Sequence, residues 1–64
     1  MPGMSDDMFT AGYLAAGDRA ADDLILRHDD PAEESAHWLP PHLHGDAAAE
    51  WRSGFESWWE PRDQ

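Results

Sequence analysis

Three histidines are the residues of this chain whose type and spacing could bind a metal ion. His42 and His44 form a His-x-His pair and His37 lies five residues earlier, so the imidazoles could converge on zinc. The spacing matches no established ligand pattern, and His42 and His44 follow two prolines in a loop where polar side chains are common. We therefore expect neither a metal nor another cofactor.

Catalytic chemistry is not indicated by the remaining polar residues. The chain has no Cys and no Lys, and its serines stand in no recognisable nucleophile motif. Carboxylates are abundant, but a 64-residue chain buries only about 60% of its unfolded surface on folding. That is too little for an enclosed active site with a supporting shell. We expect a protein that is not an enzyme.

The charge balance excludes several kinds of partner. Fourteen acidic residues stand against four arginines, which gives a formal net charge of -10. Four arginines cannot form the cationic footprint of a nucleic-acid-binding protein, and an anionic membrane would repel the chain. Without Cys there are no disulfides, and no stretch resembles a signal peptide or a membrane span. We expect a cytoplasmic protein that binds neither nucleic acid nor membrane directly.

The acidic residues are concentrated between Asp18 and Glu34. Neighbouring pairs occur there three times, at 22/23, 29/30 and 33/34, whereas proteins that need only solubility usually intersperse both signs. On a helix, carboxylates four residues apart are separated along the axis by about 6 Å, comparable to neighbouring backbone phosphates. The segment predicts a nucleic-acid mimic that binds the basic groove of another protein. The preferred phosphate surrogates are Asp22, Asp23, Asp29, Asp30, Glu33 and Glu34, with a second row of Glu50, Glu56 and Glu60.

A single aromatic stripe is predicted near the end of the chain. Its members follow one another at i, i+4, i+7 and i+8 of a helix: Trp51, Phe55, Trp58 and Trp59. Trp51, Phe55 and Trp58 are expected to form the core, because little else in the chain could. A helix cannot bury two adjacent tryptophans equally well against one partner face. We therefore expect Trp59 to stay partly exposed and to anchor a protein partner.

The sequence predicts an all-α fold. We expect a single acidic domain over residues 1–64, built from three or four short helices that position the acidic and aromatic side chains. Ser5 is predicted to cap a first helix, and Gly17-Asp18 either separates two helices, 6–16 and 19–28, or kinks a single one. The Leu24-Ile25-Leu26 triplet could be a strand, but no second strand candidate exists.

Two further helices are predicted after residue 28. Asp30 and Glu33 suit a capping box with Pro31 at the first helical position, and Pro40-Pro41 ends this helix after Leu39. Asp46 is predicted to cap the final helix over 47–59. Residues 1–5 and 61–64 are expected to fray.

The whole-chain profile is small and acidic, lacks Cys and Lys, and carries several aromatic residues. In this it resembles the small phage anti-CRISPR proteins that act as DNA mimics. The resemblance implies an inhibitor that occupies the basic DNA- and PAM-recognition surface of a type I Cascade effector, such as type I-C, and blocks target loading. Ten negative charges per chain oppose self-association, so we expect a monomer.

Two short patches carry a second, local resemblance, to ribosome modulation factor-like proteins. Residues 11–15, Ala-Gly-Tyr-Leu-Ala, are similar to the opening motif of that family, and residues 49–55, Ala-Glu-Trp-Arg-Ser-Gly-Phe, to its close. The resemblance implies a contact between Tyr13 and the face of Trp51 and Phe55, with Gly12 and Gly54 allowing close approach. That family is basic and docks on ribosomal RNA, so this chain would carry the scaffold with the sign of its surface inverted.

Other acidic binding proteins fit the same pattern. An adaptor or regulator would bind its partner through the aromatic stripe and Trp59, nearly independently of salt. An antitoxin-like protein would neutralise a basic toxin with the same electrostatics as the mimic.

Overall fold

The structure, a computed structural model, describes residues 7–60 and contains three helices in that part of the chain. They are α1 (Met8–Ala21), α2 (Pro31–Trp38) and α3 (Gly45–Ser57), and no strand lies among the described residues. The all-α prediction is confirmed. The fraying predicted for 1–5 and 61–64 concerns segments outside the described residues.

Asp7 is the cap of α1, so the prediction that Ser5 caps the first helix is wrong. The Asp7 carboxylate accepts a hydrogen bond from the Thr10 hydroxyl at 2.6 Å and another from the Thr10 backbone N–H at 3.3 Å. These bonds, led by the one from the hydroxyl, hold the pKa of Asp7 below its usual value. Because a lowered pKa favours the ionised form in the folded state, the cap weakens as the pH falls through that pKa.

One helix, which ends at Ala21, stands where the sequence predicts either two helices, 6–16 and 19–28, or a single kinked one. Gly17 lies inside α1, where an isolated glycine weakens a helix without ending it. The stop comes at Asp23, whose φ is 61°, with the N–H groups of Asp23 and Leu24 bonded back to Ala20 and Arg19 at 3.0 and 2.8 Å. This is a Schellman ending with aspartate where glycine is usual.

The segment between α1 and α2 is a loop, not a strand. Ile25 is buried in the core while its neighbours Leu24 and Leu26 are exposed. The aliphatic triplet therefore fastens the α1–α2 connection to the core through one side chain.

The starts of α2 and α3 differ in how well the sequence predicts them. The Asp30 side chain caps α2 by accepting from the Ala32 N–H at 3.2 Å, with Pro31 at the first position, as expected. The predicted capping box is not completed among the described residues, where the Glu33 side chain is exposed and makes no bond to the Asp30 N–H. In α3 the predicted cap Asp46 is wrong, because the helix begins earlier, at Gly45, with His44 at the cap position. Asp46 instead lies in the first turn, where its charge is favourable to the helix dipole.

Two glycines bring α1 and α3 into backbone contact. A Cβ atom at Gly12 would overlap the Trp51 carbonyl oxygen and lie 2.9 Å from the Phe55 nitrogen. A Cβ atom at Gly54 would overlap the Phe9 carbonyl oxygen in the same way. Only glycine permits this separation, and the close approach that the ribosome modulation factor-like motifs imply at these two positions is present.

The core is small and lies where α3 meets the rest of the chain. Phe55 and Ala16 are fully buried, Ile25 and Trp51 almost so, and the Trp51 and Phe55 rings stack with centroids 5.0 Å apart. Leu39 and Leu43, after α2, pack partly buried against this cluster.

A buried polar network joins α2 to α3. Ser35 is fully buried; its hydroxyl donates to Glu56 at 2.6 Å and accepts from the Arg52 Nε at 3.0 Å. Arg52 also donates to the Ala32 carbonyl at 3.2 Å and lies 3.9 Å from the Glu56 carboxylate. One serine therefore sets the register between the two helices.

We expect Ser35→Ala to lower the free energy of unfolding by about 1–2 kcal/mol, because it removes a hydrogen-bond partner from both Arg52 and Glu56 in a partly buried place. Ser53→Ala is the matched control, since Ser53 lies exposed on the outer face of α3. Urea unfolding followed by tryptophan fluorescence measures both variants. Equal stability of the two would mean that the network contributes nothing.

Candidate acidic protein-binding surface

The acidic segment, defined here as residues 18–34, runs from the end of α1 through the connecting loop into the first turn of α2. Five of its carboxylate side chains are exposed and the other two, on Asp29 and Glu34, are half-buried. The exposed residues are Asp18, Asp22, Asp23, Asp30 and Glu33. The structure thus gathers the segment at one helix–loop–helix corner.

Half of the six preferred phosphate surrogates also bond within the chain. Asp29 accepts from the Leu26 N–H at 2.9 Å, Asp30 caps α2, and Glu34 accepts from the Trp38 indole N–H at 3.1 Å. These bonds orient the three carboxylates and tie each of them to local structure. Asp22 and Glu33 are exposed side chains without such a task among the described contacts.

The second acidic row is not uniform. Glu50 on the outer face of α3 and Glu60 beyond its end are exposed. Glu56 instead faces α2, where it accepts the Ser35 hydroxyl and approaches Arg52. The structure therefore assigns Glu56 to the polar network between helices and leaves Glu50 and Glu60 at the surface.

The arginines of the described part scarcely neutralise the carboxylates. Arg52 is the one that forms a salt bridge, at 3.9 Å from Glu56. Arg19 lies over the Trp38 ring, 4.9 Å from its centroid, and its buried Nε atom has no hydrogen-bond partner among the described residues. Arg27 stacks on Trp58 at 4.1 Å. Stacking leaves both of these arginines charged, but the acidic segment has seven carboxylates against the two and therefore stays negative.

Trp58 and Trp59 hold the acidic segment against α3. The Trp59 indole N–H donates to the Leu26 carbonyl at 3.0 Å, and the Arg27 guanidinium donates to the Trp58 carbonyl at 2.7 Å. Both tryptophans are half-buried, because the chain leaves the α-helix at Ser57 and turns through i to i+3 bonds that let each ring reach the core. The Trp59 indole nitrogen is thus occupied within the chain, although part of its ring is exposed.

Sequence reasoning missed the attachment of Arg27 to Trp58. No signal in the sequence identifies it, because composition does not say which of the arginines meets which of the four tryptophans. The two residues are 31 positions apart in the sequence, so helical periodicity cannot relate them.

The histidines are spread along the described residues. His28, His42 and His44 are exposed, and His37 lies edge-on to Trp38 with centroids 4.9 Å apart. Within residues 7–60, no three His, Asp or Glu side chains lie where they could hold a metal ion together.

The chain was compared with protein families, curated proteins and solved structures. No family model, curated protein or solved structure matches the chain. Of the helices between residues 7 and 60, none combines the length and the apolarity needed to cross a bilayer. Function is therefore argued from the acidic segment itself.

Proposed function

We propose that this protein is a nucleic-acid mimic, which inhibits a nucleic-acid-binding protein by covering its basic groove. The observation that carries the proposal is the concentration of exposed negative charge in the acidic segment. A chain of net charge -10 holds its acidic segment at one helix–loop–helix corner, while two of the three described arginines stack on tryptophans. A surface arranged in this way keeps its field for a partner, at a cost in self-repulsion.

The attachment of the acidic segment supports a rigid mimic over a flexible acidic tail. Ile25 is buried beneath the segment, and Trp59 and Arg27 bond it to the end of α3. Three of its carboxylates are further oriented by hydrogen bonds. Preorganised charges lose less conformational entropy on binding than mobile ones. The mechanism requires no chemistry, only occupancy of the site that DNA or RNA would use.

An RNA-guided effector is the partner that we favour. Such complexes bind target DNA through positively charged surfaces, and blocking the PAM-recognition surface prevents loading of the target. An anti-CRISPR protein of a phage, directed at a type I Cascade such as type I-C, would have this activity. A basic toxin or a nuclease would offer the same electrostatics.

A pull-down tests the proposal. The immobilised protein is incubated at low salt with a lysate that contains CRISPR effectors, RNA polymerase and nucleases. We expect retention of a basic nucleic-acid-binding protein that duplex DNA or raised salt releases. Retention of only neutral or acidic proteins, or retention that salt does not weaken, contradicts mimicry.

A ribosome modulation factor-like regulator is the second candidate, and the α1–α3 contact is what favours it. Gly12 and Gly54, from the two patches similar to that family, both lie where the helix backbones meet. In this candidate the scaffold is kept and a basic ribosomal protein replaces ribosomal RNA as the partner. Co-sedimentation with ribosomes in a sucrose gradient would favour this candidate, whereas the mimic of an effector substrate would stay at the top.

A further inference from the structure

An open groove of about 460 Å³ lies between the α1–α2 loop and helix α2. It is lined by Leu24 on one side and by Glu33, Glu34, His37 and Trp38 of α2 on the other. Leu24 is 53% exposed, which leaves apolar surface at the edge of the groove. The groove thus combines two carboxylates, an indole and an aliphatic wall.

We infer that this groove receives an arginine side chain of the protein partner. The inference rests on the proposed function, for which it names the central contact. An arginine has an apolar stem that can lie along Leu24 and a planar cation that can meet both a carboxylate and a ring. Lysine also has an apolar stem and a charge, but it lacks the planar group that stacks on a ring and pairs with a carboxylate through two N–H groups.

The chain itself contains the contact that the inference needs. Arg19 lies over the Trp38 ring with its guanidinium carbon 4.9 Å from the centroid, so this ring already binds one guanidinium. Trp38 is also fixed in place, since its indole N–H donates to Glu34 at 3.1 Å and His37 packs edge-on against it. Ring and carboxylate are therefore preorganised before a partner arrives.

Charge complementarity argues against other occupants. A second copy of this chain would bring another -10 charge to the groove. An apolar ligand would have to desolvate the Glu33 and Glu34 carboxylates without compensation. A cationic side chain on a basic protein surface is the occupant that offsets both costs.

Titration with two short peptides tests the groove without the partner. The probes are a blocked glycine–arginine–glycine tripeptide and the same tripeptide with citrulline, which has nearly the same shape and no charge. The readout is the Trp38 indole N–H peak in a ¹H–¹⁵N spectrum, assigned with Trp38→Phe. We expect a saturable shift of this peak with the arginine peptide and none with the citrulline peptide.

Removal of the two carboxylate charges provides the matched variant. We expect Glu33→Gln with Glu34→Gln to weaken arginine binding at least about fivefold, while an amide oxygen can still accept from Trp38. Glu50→Gln with Glu60→Gln removes the same charge elsewhere and should change the affinity less than about twofold. Equal shifts with both peptides, no saturable shift, or no loss in the first variant would overturn the inference.

Failure of the groove and failure of the proposed function give different results. If the arginine peptide does not bind but the pull-down still retains a partner that DNA displaces, the groove is not an arginine site and the proposed mimicry stands. If the peptide binds and no such partner is retained, the groove stands as a cation site and mimicry is wrong.

Discussion

Replacing Gly12 or Gly54 by alanine should remove a large share of the free energy of unfolding. The added methyl group would overlap the Trp51 carbonyl oxygen in one case and the Phe9 carbonyl oxygen in the other, so the α1 and α3 backbones must separate. Overpacking of this kind costs about 3 kcal/mol, and a 64-residue domain has roughly 3–10 kcal/mol in all. Far-UV circular dichroism and urea titration measure the loss.

Gly17→Ala is the matched control within the same helix. A Cβ atom at Gly17 meets no described atom within 4 Å, and the residue lies inside α1. Alanine there should raise the free energy of unfolding by about 0.5–1 kcal/mol, because glycine weakens a helix interior. If all three substitutions had the same effect, helix propensity alone would explain it and close packing of α1 on α3 would be wrong.

Reversal of two charges in the acidic segment should weaken partner binding and leave the fold intact. Asp18→Lys with Asp22→Lys changes exposed side chains at the end of α1, where a cation is favourable to the helix dipole. We expect at least about tenfold weaker binding to the basic partner at low salt. Tm should rise, because the same change relieves repulsion within the chain.

A second double reversal separates the acidic segment from net charge. Glu50→Lys with Glu60→Lys lies outside the segment, and since each reversal changes the charge by two, both variants go from -10 to -6. Glu50 and Glu60 belong to the predicted second row, but the proposal places the main contact in the acidic segment, so isothermal titration calorimetry should show less than about threefold weakening for this pair. Equal weakening by the two pairs would mean that the partner responds to overall charge, with no localised surface.

The structure also governs the choice of sites for such tests. Reversing Asp29 and Asp30 is the direct choice from sequence, because they form a prominent adjacent pair. Both of their carboxylates accept backbone N–H groups, from Leu26 and Ala32, so their reversal would disturb the loop and the start of α2. Loss of binding in that variant could not be distinguished from loss of local structure.

The sequence predicted those parts of the fold that depend on local chemistry. Asp30 with Pro31 marked the start of α2, and the spacing of Trp51 and Phe55 marked the buried face of α3. The first helix was predicted less well, because Gly17-Asp18 looks like a local stop, while packing of α1 on α3 carries the helix through it.

The arrangement of the candidate binding residues could not be predicted from the sequence. Adjacent acidic pairs are visible in the sequence, but which carboxylates bond inward depends on contacts such as that of Glu56 with Ser35, 21 residues away. The positions of Trp58 and Trp59 depended on where α3 ends. Helix ends are set by competing hydrogen bonds within one turn, which periodicity does not resolve.

Competition with nucleic acid tests the central claim most directly. The basic partner retained by the pull-down is loaded with fluorescent duplex DNA, and the protein is added while anisotropy is followed. If the protein mimics nucleic acid, we expect it to displace the duplex completely, at a midpoint that rises in proportion to the DNA concentration. A ternary complex in which the partner holds both the duplex and the protein would contradict the claim.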